Sequence, residues 1–524
     1  MISLILKNNK INFIFIIFFS FFVNFYYASL GSSPMDSFAF FDTGYNILLG
    51  RHPFKDVWIT TGPFVDYLQA FFFQIIGSNW NSYIIHSSIL NTIVSITLFL
   101  FLINSKMNSY LALFFSSCFA LLCYPVSGTP FAYLHSYVIS LISILLFFNF
   151  LIFKSNNSLF ILPFSMAFSF LSMQNPSTYI NLIIISFLIY YFFDKENFKK
   201  FKYFFLGSVI LIFLLLIFFL ITEIPFNKFF QQYIQFPLSI GGNRLVGNEI
   251  AHISFSERFT FRNVLGHFKF IHLFLIAIIF FTFLSLRKKN ISKEFKILIY
   301  SIIILNLSLI FNQLITSNQT YIFSIIPFTA AFLYIFLYKN FFNLKKIRIL
   351  ILPILLMITI KYHLEYNENR KFMDLKGIDL SKSVDASILS PKLKGLKWIT
   401  YHYKNNPNKE IILLKEAIDN IKKQKNNKMV MSHYQFFSLI LDENLFIPNR
   451  WYSDDNNSYP LEDHKYFHWY KKHFNQVILK NNIKVIYMIG TPIIESKNFY
   501  PDNICIKKEI INEITVKFYL RKCV

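Results

Sequence analysis

Charge is scarce in this sequence, and most of it has one sign. Only 15% of the 524 residues are Asp, Glu, Lys or Arg, whereas 54% are hydrophobic and 20% are aromatic. This balance excludes an ordinary soluble enzyme and predicts a membrane protein. The 51 Lys and Arg residues exceed the 28 Asp and Glu residues, for a formal net charge of +23. Because the basic residues lie mainly in short loops and in the last third of the chain, without a compact basic module, nucleic acid is excluded as a partner.

Cysteine is also scarce, and one type of glycine motif is absent. Four cysteines in so long a chain exclude a disulfide scaffold, and their spacing matches no zinc or redox motif. Cys118 and Cys123 lie in an apolar run and are predicted to be core residues. The polar tail has no glycine-rich phosphate loop, which excludes a nucleotide site there.

Long apolar runs dominate the first two thirds of the chain. Eleven runs of roughly 15 to 20 residues are candidates for membrane-spanning helices. They begin near Ile11, Tyr83, Tyr110, Leu134, Leu159, Tyr179, Tyr203, Phe270, Ile297, Tyr321 and Ile347. Alternate loops carry Lys and Arg, and the opposite short loops carry neither. Because basic short loops stay in the cytoplasm, the N-terminus is predicted inside and, after eleven crossings, the C-terminal region outside.

The predicted fold class is a polytopic α-helical membrane protein with about 11 transmembrane helices and a C-terminal extracytoplasmic α/β domain. Residues 1–364 form the transmembrane domain, with long external loops at about 31–82 and 223–267, and residues 365–524 form the C-terminal domain. In this tail, predicted helices at 393–403, 410–424 and 461–479 alternate with strand-like runs at 429–432 and 485–489.

The end of the tail is predicted to be a β-hairpin formed by 503–510 and 514–520. Such a hairpin brings Cys505 and Cys523 near each other, in a compartment that permits disulfides. Whether they are bridged stays open at this point, because hairpin register cannot be derived from the sequence.

The first external loop is predicted to form two amphipathic helices. One covers about 37–49 and ends before Gly50, and the other begins at Pro63 and ends at Gly77, which are positions that these residue types favour. A helix of about 14 residues is only about 21 Å long, so both are predicted to lie along the outer membrane interface. The loop also contains Asp36, Asp42, Asp56 and Asp66 beside Arg51, His52 and Lys55.

Each acid taken alone is most simply part of the solvated face of an interfacial helix. Asp42 differs because it lies close to the end of the first span, with Tyr45 and Asn46 one turn later. A carboxylate there would be partly desolvated and therefore more basic.

Residues 41–77, FDTGYNILLGRHPFKDVWITTGPFVDYLQAFFFQIIG, resemble the first external loop of the GT-C polyprenyl-phosphate-sugar glycosyltransferases. That group includes the protein O-mannosyltransferases and the lipid A aminoarabinose transferases. The matching positions are an acid with a Tyr three residues later, a Gly, a Pro-aromatic-x-Asp, a Gly-Pro turn and a Phe-x-x-x-Gly end. They are Asp42 with Tyr45, Gly50, Pro53 to Asp56, Gly62 with Pro63, and Phe73 to Gly77.

The resemblance implies inverting transfer of a sugar from a polyprenyl phosphate to a lipid, glycan or protein acceptor, at the outer face of a bacterial inner membrane. It implies that Asp42 is the catalytic carboxylate. Many members have two adjacent acids, whereas Asp42 is followed by Thr43, so the second acid is left between Asp36 and Asp56. No cofactor is implied, and a divalent metal is left open.

A sugar phosphate leaves as an anion, which fixed cations in a low-dielectric site would stabilise. Arg244 and Arg258 are the first candidates for these phosphate contacts. The simpler interpretation of any one cation is that it extends to the lipid headgroups. The full set of candidate donor-binding residues is Lys228, Arg244, Arg258 and Arg262 from the second long loop, with Arg51 and Lys55 from the first.

Two other interpretations compete with an enzyme. A lipid-linked saccharide transporter or a polymerase-like membrane protein would bind with these loops without catalysing transfer, and a receptor would use its tail alone. Transporters place ionisable groups or broken helices at mid-membrane. The predicted spans have few charges at their centres, and the acids concentrate in an outer loop, which favours the enzyme. His135, at an outer membrane boundary, is predicted to be structural.

Overall fold

A computed structural model of the chain describes residues 2–123, 128–246, 255–287, 292–316, 322–341, 343–369, 375, 377–453, 457–491 and 497–523. Most of them are helical. The helices up to residue 362 are α1 (Ile2–Ala28), α2 (Pro34–Phe38), α3 (Phe41–Leu48), α4 (Phe64–Ile76), α5 (Trp80–Asn104), α6 (Ser109–Leu122), α7 (Ala132–Phe153), α8 (Asn156–Ser172), α9 (Gln174–Phe192), α10 (Lys195–Phe198), α11 (Phe201–Thr222), α12 (Phe226–Phe230), α13 (Phe236–Val246), α14 (Phe255–Arg258), α15 (His267–Arg287), α16 (Lys293–Thr316), α17 (Ile325–Asn340) and α18 (Lys345–Tyr362). Short π-helical segments follow α12, precede α15 and follow α18.

The eleven apolar runs correspond to α1, α5 to α9, α11 and α15 to α18. Seven described stretches are long and apolar enough to cross a membrane, which supports membrane insertion. They are Asn9–Ala28, Trp80–Asn104, Ala132–Phe153, Lys195–Thr222, Arg262–Leu286, Lys293–Thr316 and Lys345–Glu368. Helices α6, α8 and α17 have 14, 17 and 16 residues, fewer than the roughly 20 that a crossing requires. Eleven crossings therefore stay a prediction.

Aromatic packing holds the middle of the helix bundle together. The Phe332 ring of α17 lies 5.2 Å from Phe101 of α5 and 5.3 Å from Phe148 of α7, measured between centroids. Helix α7 is buried along most of its length, whereas only Gly207 and Thr222 are buried on α11. A helix that is apolar on every side and exposed is suited to contact lipid, so α11 lies at the edge of the bundle.

The first long loop folds into helices close to those predicted, but the first is interrupted. Helix α2 ends at Phe38, α3 begins at Phe41 and ends just before the Leu49–Gly50 turn, and α4 ends at Gly77 as expected. The solvated-face interpretation is wrong for Asp66, whose exposed fraction is 0%, whereas Asp42 is desolvated as predicted and more completely than expected, since its exposed fraction is also 0%. The C-terminal domain packs over this loop and removes both carboxylates from solvent.

The C-terminal domain is a small α/β unit. Its elements are β1 (Val384–Asp385), β2 (Lys397–Trp398), α19 (Pro407–Lys423), β3 (Lys428–Ser432), α20 (Phe437–Leu441), α21 (Phe467–Lys480), β4 (Val485–Ile489), β5 (Ile504–Asn512) and β6 (Thr515–Lys522). One sheet has the order β3-β4-β6-β5, in which only β3 and β4 are parallel to each other. Strand β1 pairs with β2.

The predictions for this domain were mostly right. Strands β3 and β4 and helix α19 confirm three of the predicted elements, and α21 confirms a fourth but begins at Phe467 rather than near 461. The predicted helix at 393–403 is wrong. Gly395 has a φ of +97°, a left-handed conformation that ends the preceding 3-10 turn, and residues 397–398 then pair with β1.

The predicted hairpin is formed by β5 and β6. It brings Cys505 and Cys523 together in a disulfide, with their Cα atoms 5.0 Å apart. The sequence left open whether the two cysteines are bridged. The register of the hairpin permits the bridge, because Cys505 lies opposite Arg521, two residues from Cys523.

The C-terminal domain and the first loop share one hydrophobic core. The ring of Phe38 in α2 lies 5.9 Å from Trp398 and 5.0 Å from Phe436. The amide of Gly31 donates to the carbonyl of Lys397 at 3.0 Å. The end of the bundle that carries the first loop and the C-terminal domain is called the loop end below. The opposite end, where α5, α7 and α17 end near Lys106, Lys154 and Lys339, is called the basic end.

Candidate functional site

Asp42, the predicted catalytic carboxylate, lies inside the junction between the first loop and the C-terminal domain. Asp42 is the second residue of α3. Its carboxylate accepts hydrogen bonds from the Ser438 hydroxyl at 2.7 Å, from the Ser438 amide at 3.3 Å and from the Leu439 amide at 2.8 Å. Burial raises its pKa to about 6, although these three hydrogen bonds oppose the shift. Asp42 is therefore a weakly acidic group that attaches α20 to the loop.

A second buried carboxylate, Asp66 of α4, forms an ion pair with Arg450. The same carboxylate accepts a hydrogen bond from the Thr43 hydroxyl, and Arg450 also donates to the Thr61 hydroxyl. The guanidinium lies 4.3 Å from the centroid of the Phe40 ring. Burial raises the pKa of Asp66, and the charge of Arg450 opposes that rise. Sequence reasoning did not single out this pair, because 384 residues separate its members and no local pattern links them.

Gly62 sets the path of the loop between these two acids. Its amide donates to the carbonyl of Ser172 at the end of α8, at 3.1 Å. A β-carbon at this position would lie 1.7 Å from the Leu171 carbonyl oxygen, a distance that no side chain tolerates. Only glycine therefore permits the loop to approach α8 this closely.

Arg51, a predicted donor-binding residue, is buried and its donors are engaged by the protein. It donates to Asn46 Oδ1 at 2.8 Å, to the Ile447 carbonyl at 2.9 Å and to the Asp56 carbonyl at 3.1 Å. Burial lowers its pKa to about 10, and the charges of Asp56 and Asp42 oppose that shift, so the guanidinium stays charged. Arg51 contributes a positive field to the site and braces its backbone.

Asp56 is the one of the three predicted acids that lies among cations. Its Oδ2 accepts from the His52 amide at 3.0 Å, and its Oδ1 lies 3.8 Å from Lys480 Nζ at the end of α21. Its side chain keeps 19% of its surface exposed. Lys472, Gln476 and Lys480 are spaced four residues apart and so share one face of α21, while Phe474 and Ile478 are buried.

Lys228 of α12 joins the same place from the second long loop. Its Nζ lies 3.4 Å from Gln476 Oε1. Burial lowers the pKa of Lys228, and repulsion from Lys480 and Lys472 lowers it further. The negative charge of Asp56 opposes this shift. Lys55 of the first loop forms an ion pair of 2.8 Å with Glu223, which follows the last residue of α11. Lys55, Lys228, Lys472 and Lys480 around Asp56 and Glu223 are called the cation cluster below.

The cation cluster has four ammonium groups and two carboxylates, so it attracts anions. His52 adds a neutral group, since burial lowers its pKa below the ordinary value near 6.5. Its Nδ1 lies 2.9 Å from the Tyr67 hydroxyl. The cluster lies beside the C-terminal end of α11, whose apolar surface is exposed, so a bound anion would meet the protein at the boundary of the apolar helices.

The other predicted site residues lie elsewhere. Asp36 is half-buried in the first turn of α2. Arg258 is buried and donates to the Ile315 carbonyl of α16 at 2.7 Å, and Arg262 is exposed at the start of a π-helical segment. Arg244 belongs to α13, but its side chain lies outside the described residues. The cluster thus unites Lys55, Asp56 and Lys228, with Arg51 next to them.

Two buried histidines meet between α5 and α7. His135 Nδ1 lies 2.9 Å from the Phe131 carbonyl, its Nε2 lies 3.0 Å from His86 Nε2, and His86 Nδ1 lies 2.8 Å from Gln69 Oε1. These contacts form one chain that runs from the Gln69 side chain through both imidazole rings to the Phe131 carbonyl. The prediction that His135 is structural did not anticipate this partner.

Within the described part of the chain, no three His, Cys, Asp or Glu side chains are grouped so that they could hold a metal ion. A comparison with known family models and with curated proteins finds no match for this sequence.

Proposed function

We propose that this chain is an integral membrane glycosyltransferase of the GT-C type, which takes a sugar from a polyprenyl phosphate and passes it to an acceptor at the loop end. The observation that carries the proposal is the cation cluster. Two acids and four lysines from the first loop, the second loop and α21 lie close together at the boundary of the apolar helices. The resemblance of residues 41–77 to the first loop of that family is the second support.

The proposed orientation follows the basic loops. The N-terminus is cytoplasmic, the chain crosses a bacterial inner membrane eleven times, and the loop end faces the periplasm. The disulfide between Cys505 and Cys523 fits this orientation, since disulfides persist in the periplasm and are rare in the cytosol.

The chemistry assigned to the cluster is stabilisation of the leaving phosphate. The acceptor hydroxyl loses its proton to a carboxylate, its oxygen bonds to the anomeric carbon, and the bond from that carbon to the phosphate oxygen breaks. Negative charge then grows on the phosphate, and the ammonium groups of Lys228 and Lys480, both close to Asp56, would stabilise it. Fixed cations at the edge of an apolar region stabilise such charge more than they would in water.

Two carboxylates compete for the role of base. The resemblance favours Asp42, but its oxygens accept three hydrogen bonds from α20, so α20 would have to move before Asp42 met an acceptor. Asp56 is partly exposed and lies beside the cations. We therefore assign proton acceptance to Asp56 and attachment of the C-terminal domain to Asp42.

The test is native mass spectrometry of the purified protein with an added polyprenyl monophosphate, followed by a transfer assay with the lipid-linked sugar found to bind. Lys228→Gln and Lys480→Gln are expected to weaken binding about tenfold each, since a hydrogen bond to a charged group contributes about 1.5–3 kcal/mol. Lys415→Gln, on an exposed position of α19, is the control. Equal binding by all four proteins would refute the donor site.

The same assay separates the two bases. Asp56→Asn is expected to abolish transfer while donor binding persists, and Asp42→Asn is expected to keep measurable transfer. Full transfer by Asp56→Asn, with none by Asp42→Asn, would return the base role to Asp42.

The histidine pair gives a specific reason to keep the transporter as a second candidate, because ionisable side chains buried between helices are typical of transport pathways. Proteoliposomes that move a lipid-linked saccharide between leaflets, and lose this activity in His86→Phe, would favour transport over transfer.

A further inference from the structure

A cavity of about 400 Å³ opens at the basic end, on the side of the bundle opposite to the cation cluster. It lies where α7 ends, α16 begins and α17 ends. Two kinds of side chain line it: the charged groups Lys154, Lys339 and Glu294, and the apolar groups Leu151, Ile152 and Phe295.

Positive charge exceeds negative charge at this cavity. Lys154 pairs with Glu294 at 2.7 Å, which leaves Lys339 as a second ammonium group on the wall. Among the residues that the structure describes, no carboxylate pairs with Lys339; its Nζ lies 5.7 Å from the centroid of the Phe295 ring. Lys293, next to Glu294, stacks over Tyr190 at 4.8 Å. Lys154 and Lys339 therefore face the carboxylate of Glu294 on the cavity wall, and an anion would balance the excess positive charge.

The apolar half of the wall distinguishes between anions. A free phosphate ion would gain nothing from Leu151, Ile152 and Phe295, whereas a phospholipid would lay its acyl chains along them. Tyr190, whose ring lies under Lys293, and Tyr338, next to Lys339 in the chain, are both exposed, and such rings favour the headgroup level of a bilayer.

We propose that this cavity binds the phosphate headgroup of an anionic phospholipid, with Lys339 as the principal contact and Leu151, Ile152 and Phe295 against its chains. The site requires membrane insertion and does not depend on the proposed transferase activity. Its ligand is a lipid of the surrounding leaflet rather than a sugar donor.

The experiment is native mass spectrometry of the full chain titrated with phosphatidylglycerol, and separately with phosphatidylcholine of the same chain length. The wild-type protein is expected to retain the anionic lipid in preference. Lys339→Gln is expected to lower its affinity for phosphatidylglycerol about fivefold, the effect of about one lysine at a membrane surface, and to leave phosphatidylcholine binding unchanged. Lys339→Arg is expected to restore the preference.

Lys106→Gln is the matched control, because Lys106 is exposed in the loop between α5 and α6, at the same end of the bundle. Thermal unfolding of each variant checks that it is folded. Unchanged phosphatidylglycerol binding by a folded Lys339→Gln protein would overturn the proposal, as would equal retention of the two lipids. Displacement of phosphatidylglycerol by millimolar inorganic phosphate would show an anion site without lipid selectivity, and would overturn it too.

Discussion

At the loop end, Asp66 and Arg450 form an ion pair whose side chains are 0% and 2% exposed; at the basic end, Lys154 and Glu294 form one whose side chains are 30% to 41% exposed. The first pair is enclosed by protein on all sides, so each charge depends on the other. The second pair is in contact with solvent, which screens it. An ion pair therefore has a structural role at the loop end, whereas at the basic end an ion pair leaves charge accessible to ligands.

The largest expected effect is at the buried pair. Arg450→Ala leaves the Asp66 carboxylate buried without its counter-charge, which is expected to lower the free energy of unfolding by about 3–5 kcal/mol. Thermal unfolding in detergent measures this. The double variant Asp66→Asn with Arg450→Gln is expected to be less destabilised than Arg450→Ala alone. A loss below about 1 kcal/mol, the range of exposed pairs, would remove the distinction between the two ends.

The disulfide is expected to have the next largest effect. Cys505 and Cys523 are 18 residues apart, and closing a loop of about that length contributes about 3 kcal/mol. Cys505→Ser with Cys523→Ser is therefore expected to lower the unfolding temperature of the C-terminal domain, and treatment with reductant should do the same to the wild-type protein. Cys118→Ser is the control, since that thiol is free and should not respond to reductant. No response in the wild type would contradict the bridge.

Asp42 is expected to make stability depend on pH. Its pKa is raised to about 6 in the folded chain from an ordinary value of 3.8, so between these values the folded state binds a proton that the unfolded state has lost. The stabilising contribution of protonated Asp42 to the free energy of unfolding is therefore complete below about pH 4. It is lost as the pH rises to about 6, which lowers the free energy of unfolding by about 3 kcal/mol. Denaturant unfolding across this range measures the slope. Asp42→Asn should flatten it, and an equal slope in the two proteins would argue against a buried titrating Asp42.

The smallest expected effect is at the basic end. A double-mutant cycle with Lys154→Gln and Glu294→Gln is expected to give a coupling energy below about 1 kcal/mol, and less in high salt, because solvent screens the pair. A coupling energy as large as that of Asp66 with Arg450 would mean that the basic end is as enclosed as the loop end.

Sequence reasoning worked where local patterns were sufficient. Apolar runs identified the helices, short strand-like runs identified β3, β4 and the hairpin, and Pro63 and Gly77 bounded α4. It failed at residues 393–403, where β1 competes with helix formation through pairing with β2. It also failed for the solvated face of α4, because Asp66 is covered by Arg450, which lies 384 residues later in the chain.

For the candidate site, the sequence identified the residue types but not their grouping. Lys55, Asp56 and Lys228 were named from the loops, and they meet in the cation cluster. Lys480 and Gln476 were not, since a lysine-rich face on an amphipathic helix has no feature that marks it as a site. The pairing of His86 with His135 was missed because the two residues lie 49 positions apart on different helices, and no local pattern links them.

The sequence by itself determined a mostly helical chain with apolar helices of membrane-spanning length and a mixed C-terminal domain, because hydrophobic periodicity and charge-poor runs are properties of neighbouring residues. Only the tertiary structure decided which charges are buried and which are accessible. Asp42 and Asp66 are removed from solvent by residues 384 to 397 positions away, while Asp56 and Lys339 keep access to it. Desolvation depends on what packs over a group in space, and that is set by long-range contacts that no local pattern contains.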